Sequence, residues 1–565
     1  MKRYFSPELG LTAHMQGDCT AAFEAAFDRL PDNSELVLEP GVYRFDAGSA
    51  RRAQYSLSNS DAVGCHRVSI WLRRRKGIVL NGCGAEILFH GQTMPIALDG
   101  CRDITLKNLV IDWDIPHTSE GEIIAVHDDF IDLKINKQLY PFHVEDGKLI
   151  FDGGDWQEPL WRGSHTEFDA RTGKVAYGRG DTFPNTVQQQ VSEEVVRFYG
   201  DFAAHRPQQG NIVVLRHGRR EHPGILIQDS TDIAVENLTM HASGGLGILA
   251  QFSENLRFWR VKMLPNRAKG RCFASGHDDG IHLSADSGTV RVEECSFLGL
   301  MDDPVNLHGI AAKLERRLDA HTVMGRFMHP QSKGFARWAL PGHTVALLDA
   351  QEMSEAAQGT VKRYELCTPE TFRLEFEAPL PQAAFTAGSL ENLTRTAALI
   401  CRNNWFGSCR ARGLLFCTPK PALVENNIFE SAGAAILIAG DACTWYESGR
   451  CQDVKIRGNY FADCCLTSAY GGGEGIVSIH PELPCPHVGA VCHRGIRIEH
   501  NTFETSDARV LYALCTAGLR FYGNRIVRSY TYPGRWPKKK LVTLEHCSDT
   551  EIDDNLLIGD VVGTG

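Results

Sequence analysis

The stretch ALVENNIF, Ala422 to Phe429, decides the fold, because its pattern returns nine more times along the chain. It runs as an apolar residue, any residue, an apolar residue, two of any kind, a position often filled by Asn, one more, and an apolar residue. The other copies are ITLKNLVI from Ile104, IAVENLTM from Ile233, LRFWRVKM from Leu256, VRVEECSF from Val290, LICRNNWF from Leu399, VKIRGNYF from Val454, IRIEHNTF from Ile496, LRFYGNRI from Leu519 and TEIDDNLL from Thr550. The starts at 233 and 256, 399 and 422, and 496 and 519 are each 23 residues apart. Period-two apolar alternation inside a unit of this length predicts an all-β fold, a right-handed parallel β-helix in which each coil lays its strands on those of the coil before. Asn404, Asn427, Asn459, Asn501, Asn524 and Asn555 share one position of the repeat, so their amides are expected to stack as a hydrogen-bonded ladder.

Outside the repeat, GDCTAAFEAAFDRL from Gly17 has helical spacing, with Asp18 or Thr20 as the candidate N-cap, and ELVLEPGVYRF reads strand, turn, strand. A short helix there would cover the open end of the first coil. Two steps are far too long for one coil: 129 residues from Ile104 to Ile233 and 109 from Val290 to Leu399. Both gaps contain alternating segments, such as EIIAVHDDFIDLKI and HTVALLDA, and predict small β-barrels or sandwiches inserted into the helix. Smaller excesses, in the steps from 256, 422 and 454, are expected just before the next repeat. Loops at one corner of successive coils would form the walls of a pocket.

Composition narrows the function. The 565 residues are 43% hydrophobic with a mean hydropathy of -0.22, and 54 Gly and 24 Pro indicate many turns. No apolar run reaches the length of a spanning helix, and the opening MKRYFSPELG lacks a secretory stretch, so a soluble cytoplasmic protein without membrane insertion is the expectation. A net charge of -10 argues against nucleic acid as a partner. The RRRK run from Arg73 reads as a solvated turn. The 18 cysteines, Cys464 and Cys465 included, read as reduced and mostly buried, and the spacing from Cys485 to Cys492 fits no common metal pattern.

The chemistry concentrates in carboxylates. Asp278 and Asp279 lie in GHDDGIHLSAD, and Asp302 and Asp303 in LGLMDDPVNLHG, about one coil later. Acidic pairs with Gly or Pro also make ordinary turns. Two pairs at the coil period, each followed by a histidine, His282 or His308, favour function. Carboxylates this close cannot all ionise freely, and a protonated acid beside an ionised one is what glycosidic cleavage requires. Calcium is the alternative use of such a cluster, although no basic residue that a lyase would need is evident beside it. GDACTWYESG supplies Trp445 and Glu447, an indole and an acid suited to a sugar. AYGGGEGIVSIHPE supplies Tyr470 and Glu474. Arg412 falls 13 residues into its coil, as Asp303 does, and is placed either to pair with that carboxylate or to reach a substrate hydroxyl.

HDDGIH, DDPVNLHG, RARGLLF, GDACTWYESG and GGGEGIVSIHPE, with SLSNSD from Ser56 and FMHPQSKGFARWALPGHTV from Phe327, resemble glycoside hydrolase family 110, the exo-acting α-1,3-galactosidases, over nearly the whole chain. The resemblance implies a β-helix carrying two β-barrel domains, and inverting hydrolysis of terminal α-1,3-linked galactose without metal or other cofactor. It divides the chain into a cap and first coils (1–114), a first barrel (115–222), coils with the aspartates (223–310), a second barrel (311–393) and the C-terminal coils (394–565). It also implies Asp302 as general acid and Asp279 with Asp303 as base, with Trp445, Glu447, Asn306, His308, Arg412 and Glu474 as substrate contacts. The partner would be an oligosaccharide or glycoconjugate ending in α-galactose, and a homo-oligomer stays open. Rival readings are another β-helix carbohydrase, such as an inverting polygalacturonase, or a non-catalytic glycan-binding β-helix. Acidic and aromatic loops favour a neutral sugar over a uronic acid.

Overall fold

In all ten copies of the repeat the fifth residue has left-handed backbone, from φ 48° at Asn237 to 64° at Gly458. Asn fills this position four times and Gly twice, the two residue types that tolerate it best. The first copy bends within one long strand, Arg102–Trp113, and each later copy is a strand, a sharp bend and a second short strand, as in Leu399–Arg402 and Trp405–Phe406. A third strand of the coil, here Leu414–Phe416, belongs to a second sheet. The computed structural model describes the chain except residues 14, 16, 62–63, 182–185, 205, 383, 385–386, 468–473, 507–508, 534–539 and 560–565, and the side chains of 162–164.

Successive coils pair in parallel with the repeats in register. Ile104, Ile233, Leu256, Val290, Leu399, Ala422, Val454 and Ile496 form one file. The bent pairs build a 24-stranded sheet and the third strands a 12-stranded one, giving a right-handed parallel β-helix with one continuous apolar core between them. The last residue of the repeat stacks its ring along this core: Phe297, Phe406, Phe429, Phe461 and Phe503 follow one another at centroid distances of 5.4, 4.5, 5.1 and 4.5 Å.

The asparagine ladder forms. Each Nδ2 from Asn404 to Asn524 donates to Oδ1 of the next member at 2.9–3.0 Å, and the same oxygen also accepts from the backbone N–H of the residue below. It starts where Cys295 N–H meets Asn404 Oδ1 at 2.8 Å. Earlier coils place Leu109, Leu238, Val261 and Cys295 at this position and continue the apolar core instead.

The cap helix spans Thr20–Arg29 and buries Phe23, Ala26 and Phe27, with the Phe23 ring against Tyr43 and Phe45. Its N-cap is neither candidate but Cys19, whose side chain makes no capping bond. The Asp18 carboxylate instead accepts from Thr20 N–H and hydroxyl and from Asp46 N–H, tying the helix start to the first coils. Arg75 of the basic run donates to the Phe27 and Leu30 carbonyls at the helix end. All 18 cysteines are free, and Cys464 and Cys465 are buried.

The two long gaps fold as antiparallel β units. The first is an eight-stranded sheet between Thr118 and His217 whose end strands, Phe142–Glu145 and Val187–Gln190, lie against each other. The second is a closed six-stranded barrel between Ala311 and Asn392. In both, the first and last strands pair with each other, Thr118 opposite Arg216 and Ala311 opposite Glu391. Among the described residues no helix is long and apolar enough to cross a membrane.

The smaller excesses occupy two corners rather than one. Residues 264–280 precede the second-sheet strand Ile281–Ser284, whereas residues 439–453 follow the strand Ile436–Ile438. The loops therefore flank the second sheet on both sides, and the pocket lies over that sheet between them.

Candidate active site

Strands Ile281–Ser284, Val305–His308 and Leu414–Phe416 pair in register, Ile281 with Val305 and Val305 with Leu414. Two residues before each reference residue stand Asp279, Asp303 and Arg412, one file across three coils. The backbone is tied at this level as well, with Gly280 N–H donating to the Asp303 carbonyl at 2.9 Å. Asp278 and Asp302 occupy the neighbouring position.

Asp279, Asp302 and Asp303 open on a cavity of about 680 Å³. Asn306, Arg412, Trp445 and Glu447 line it with them, as do Asn59, Trp161, Arg216, Arg220, Gln331 and Arg410. Two expected contacts are not in its wall. Glu474 faces Arg509 at 3.6 Å with its side chain 46% exposed. His308 is buried behind Glu447, its Nε2 3.7 Å from Oε1, because Asn306 rather than His308 reaches the cavity from this strand. Tyr470 lies outside the described residues.

Each aspartate has a different environment. Asp303 is held by Arg412 through Nε–Oδ1 and Nη2–Oδ2 contacts of 2.9 and 2.7 Å, and accepts the Arg412 backbone N–H at 2.9 Å. Burial pushes its carboxyl up and Arg412 pulls it down, leaving it at about 6. Asp279 has no arginine in direct contact; its Oδ2 lies 2.7 Å from His282 Nδ1. Burial, reinforced by the charge of Asp302, raises it well above the carboxylate range. Asp302 accepts from Arg220 Nη2 at 2.7 Å and is the most open of the three, 13% exposed against 5% for Asp279 and 2% for Asp303. Asp278 is fully buried between Arg216, Arg220 and His277; burial opposes its charge, but these partners hold it below the ordinary range. It is a structural anion, not a cavity group.

The four arginines correct the sequence-level picture of purely acidic and aromatic walls. Arg216 and Arg220 come from the end of the first insertion, 62 and 58 residues before Asp278, so local sequence could not associate them. Each is bound to a carboxylate: Arg216 to Asp278, Arg220 to Asp278 and Asp302, Arg410 to Asp181, Arg412 to Asp303. Trp161 comes from the same insertion, its ring under the Arg216 guanidinium at 4.5 Å. Asn59 and Gln331 were legible only as parts of the SLSNSD and FMHPQSK segments.

The opposite wall is built by the Asp441 loop. The Asp441 carboxylate accepts the backbone N–H groups of Cys443, Thr444 and Trp445, fixing the turn that presents Trp445. That indole is 41% exposed and stacks on His329 at 4.2 Å. Glu447 Oε1 accepts from Asn59 Nδ2 at 2.6 Å. Burial opposes its charge, yet His308, His282 and Asn59 hold its carboxyl at about 2. Asn306 Oδ1 is buried without a protein hydrogen-bond donor, an acceptor available to a hydroxyl in the cavity.

His282, His308 and Glu447 are the one trio among the described residues with ligand-capable atoms within 4.8 Å of one another. The two imidazole Nε2 atoms stand 2.9 Å apart. Two nitrogens on one tetrahedral zinc would sit roughly 3.3 Å apart, so these nitrogens meet as hydrogen-bond partners rather than as ligands.

With this geometry established, relatives become informative. Residues 119–213 match the GLAA-B β-barrel domain I and residues 322–386 the GLAA-B β-barrel domain II. The chain is 38% identical to α-1,3-galactosidase B of Bacteroides thetaiotaomicron over 94% of its own length and 86% of that protein's. It is 32% identical to α-1,3-galactosidase A of Bacteroides fragilis, covering 98% and 92%. Among solved structures, the exopolygalacturonase of Thermotoga maritima superposes with a TM-score of 0.45 at 10% identity, over 99% of this chain and 92% of that one. The protein is a glycoside hydrolase, and it belongs to glycoside hydrolase family 110, the α-1,3-galactosidase family.

Proposed function

We propose that the protein is an inverting, exo-acting α-1,3-galactosidase that releases terminal galactose from blood-group-B-type or linear α-galactosyl glycans. The observation carrying this reading is the set of three carboxylates, Asp279, Asp302 and Asp303, brought from adjacent coils to one cavity and fixed by different partners. The printed names of the two Bacteroides relatives support the linkage and the sugar.

The charge of Asp302 helps to raise the carboxyls of Asp279 and Asp303, so these acids do not ionise independently. Asp302 is assigned the acid role because it is the most open of the three and can meet the leaving oxygen. Asp279 and Asp303 are fixed in orientation by His282 and Arg412, as a water-activating pair must be. Trp445 offers its face to the apolar side of the sugar, while Glu447 and the unpartnered Asn306 oxygen accept hydroxyl hydrogen bonds. A uronic acid would need a cation to spare, and each arginine here already has a carboxylate partner.

Incubation with galactosyl-α-1,3-galactose, followed by proton NMR of the first product formed, tests the reading. β-Galactose as the initial anomer is the expected result. α-Galactose would remove the inverting mechanism, and no release from α-1,3 substrates beside cleavage of α-1,4 or α-1,6 galactosides would remove the linkage assignment.

A further inference from the structure

Behind Asp279 two histidines form a single file that no substrate role explains. His282 and His308 sit on the neighbouring strands Ile281–Ser284 and Val305–His308, both fully buried. His308 Nδ1 lies 2.5 Å from the Gly309 carbonyl oxygen, His308 Nε2 lies 2.9 Å from His282 Nε2, and His282 Nδ1 lies 2.7 Å from Asp279 Oδ2.

A carbonyl can only accept, so the Gly309 oxygen places the His308 proton on Nδ1 and leaves Nε2 as a lone pair. Two lone pairs cannot face each other at 2.9 Å, so His282 carries its proton on Nε2. The Nδ1 of a neutral His282 is then an acceptor. The last gap closes only with a proton on Asp279 Oδ2. One backbone carbonyl thereby dictates the protonation of a carboxyl two rings away.

We propose that His282 and His308 are positioning residues for Asp279, a proton wire oriented by the Gly309 carbonyl that keeps one proton on Asp279 Oδ2 and leaves Oδ1 to the attacking water. This inference rests on the hydrolase reading of Asp279 given above. As the water oxygen bonds to the sugar's anomeric carbon, its proton passes to Oδ1, the Oδ2 proton passes to His282 Nδ1, and the His282 Nε2 proton passes to His308 Nε2. The glycosidic C–O bond breaks and the leaving oxygen takes the proton of Asp302. Asp279 ends neutral, Asp302 ionised, and His308 an imidazolium 3.7 Å from the Glu447 carboxylate, which offsets the new charge. Return of that proton to Asp302 resets the site.

The surroundings suit this distribution. Asp279 faces Asp302, Arg220, Asp278 and Glu447, with Asp303 and Arg412 along its file. Burial takes His282 down to about 4 and lowers His308 too, so both rings are neutral at pH 7, while Asp279 is raised.

The test needs no turnover in its first arm. With carbon-13-labelled aspartate, the infrared difference between wild type and Asp279→Asn at pH 7 should contain the C=O stretch of a protonated carboxylic acid. His308→Phe removes the acceptor, frees His282 to turn its Nδ1–H toward an ionised Asp279, and should abolish that band. His308→Gln, whose amide oxygen can accept from His282 Nε2–H, should keep it. In the second arm, the apparent pKa of kcat/KM assigned to Asp279 should fall by about one unit in His308→Phe and return toward wild type in His308→Gln. Absence of the band in wild type, its survival in His308→Phe, or a stoichiometric metal lost from His282→Asn would overturn the wire. A band that behaves as expected in a protein that cleaves no galactoside would keep the wire and remove the substrate assignment instead. If His308→Phe fails to fold, the wild-type band and His308→Gln still decide.

Discussion

Arg412 reaches across from the next coil and grips both carboxylate oxygens of Asp303, at 2.9 and 2.7 Å, while its own backbone N–H adds a third bond. Arg412 fixes the position of Asp303 and offsets the burial that raises its carboxyl. Because burial alone would carry this carboxyl higher, Arg412→Leu should raise it from about 6. Asp303, gripped by Arg412 rather than backed by a proton relay, serves in its ionised form, so wild-type kcat/KM should rise with pH through a limb near 6, and in the variant that limb should move up by about one unit or more. A pH–rate series on the disaccharide measures it; an unmoved limb would mean that another member of the set is being titrated.

Asp302→Asn should cost about 10²- to 10⁴-fold in kcat/KM on a natural disaccharide. An aryl α-galactoside with an acidic phenol needs little help in leaving and should lose much less. Equal losses on the two substrates would remove Asp302 from the acid role.

On the proposed sugar contact, Trp445→Ala should raise KM by roughly 5- to 10-fold with a smaller change in kcat, since a stacked indole contributes about 1 kcal/mol beyond its buried area to ground and transition state alike. Steady-state kinetics separate the two constants.

The ladder predicts a purely structural variant. Asn427→Ala strips partners from the Asn404 backbone and amide donors and from Asn459 Oδ1. Leaving such groups unpaired in the core should cost about 3 kcal/mol, seen as a lower denaturant midpoint with kcat preserved in the folded fraction.

Much of the fold was legible because a repeat writes the same physical requirement many times. Ala422, Val454 and Ile496 fill one core file, and Asn427, Asn459 and Asn501 one ladder, so each copy supports the others. The site was only half legible. Asp279, Asp303 and Arg412 share a register that counting residues reveals, whereas Arg220, Trp161 and Asn59 arrive from insertions and segments with no repeat to index them. Glu474, which faces Arg509 instead of lining the cavity, marks the same limit: periodicity gives its coil but not the direction of its side chain.

The pairing of first and last strands within each insertion bears on how the chain folds. Val290 must find Leu399 across 109 residues. Closing that loop in place of a 23-residue coil adds about 1.4 kcal/mol of entropy to the search. Once Ala311 has paired with Glu391, however, the barrel presents its two ends side by side and the coil sees only a tight turn. Closure of each barrel would thus act as a clasp, letting a β-helix interrupted twice assemble by nearest-neighbour steps.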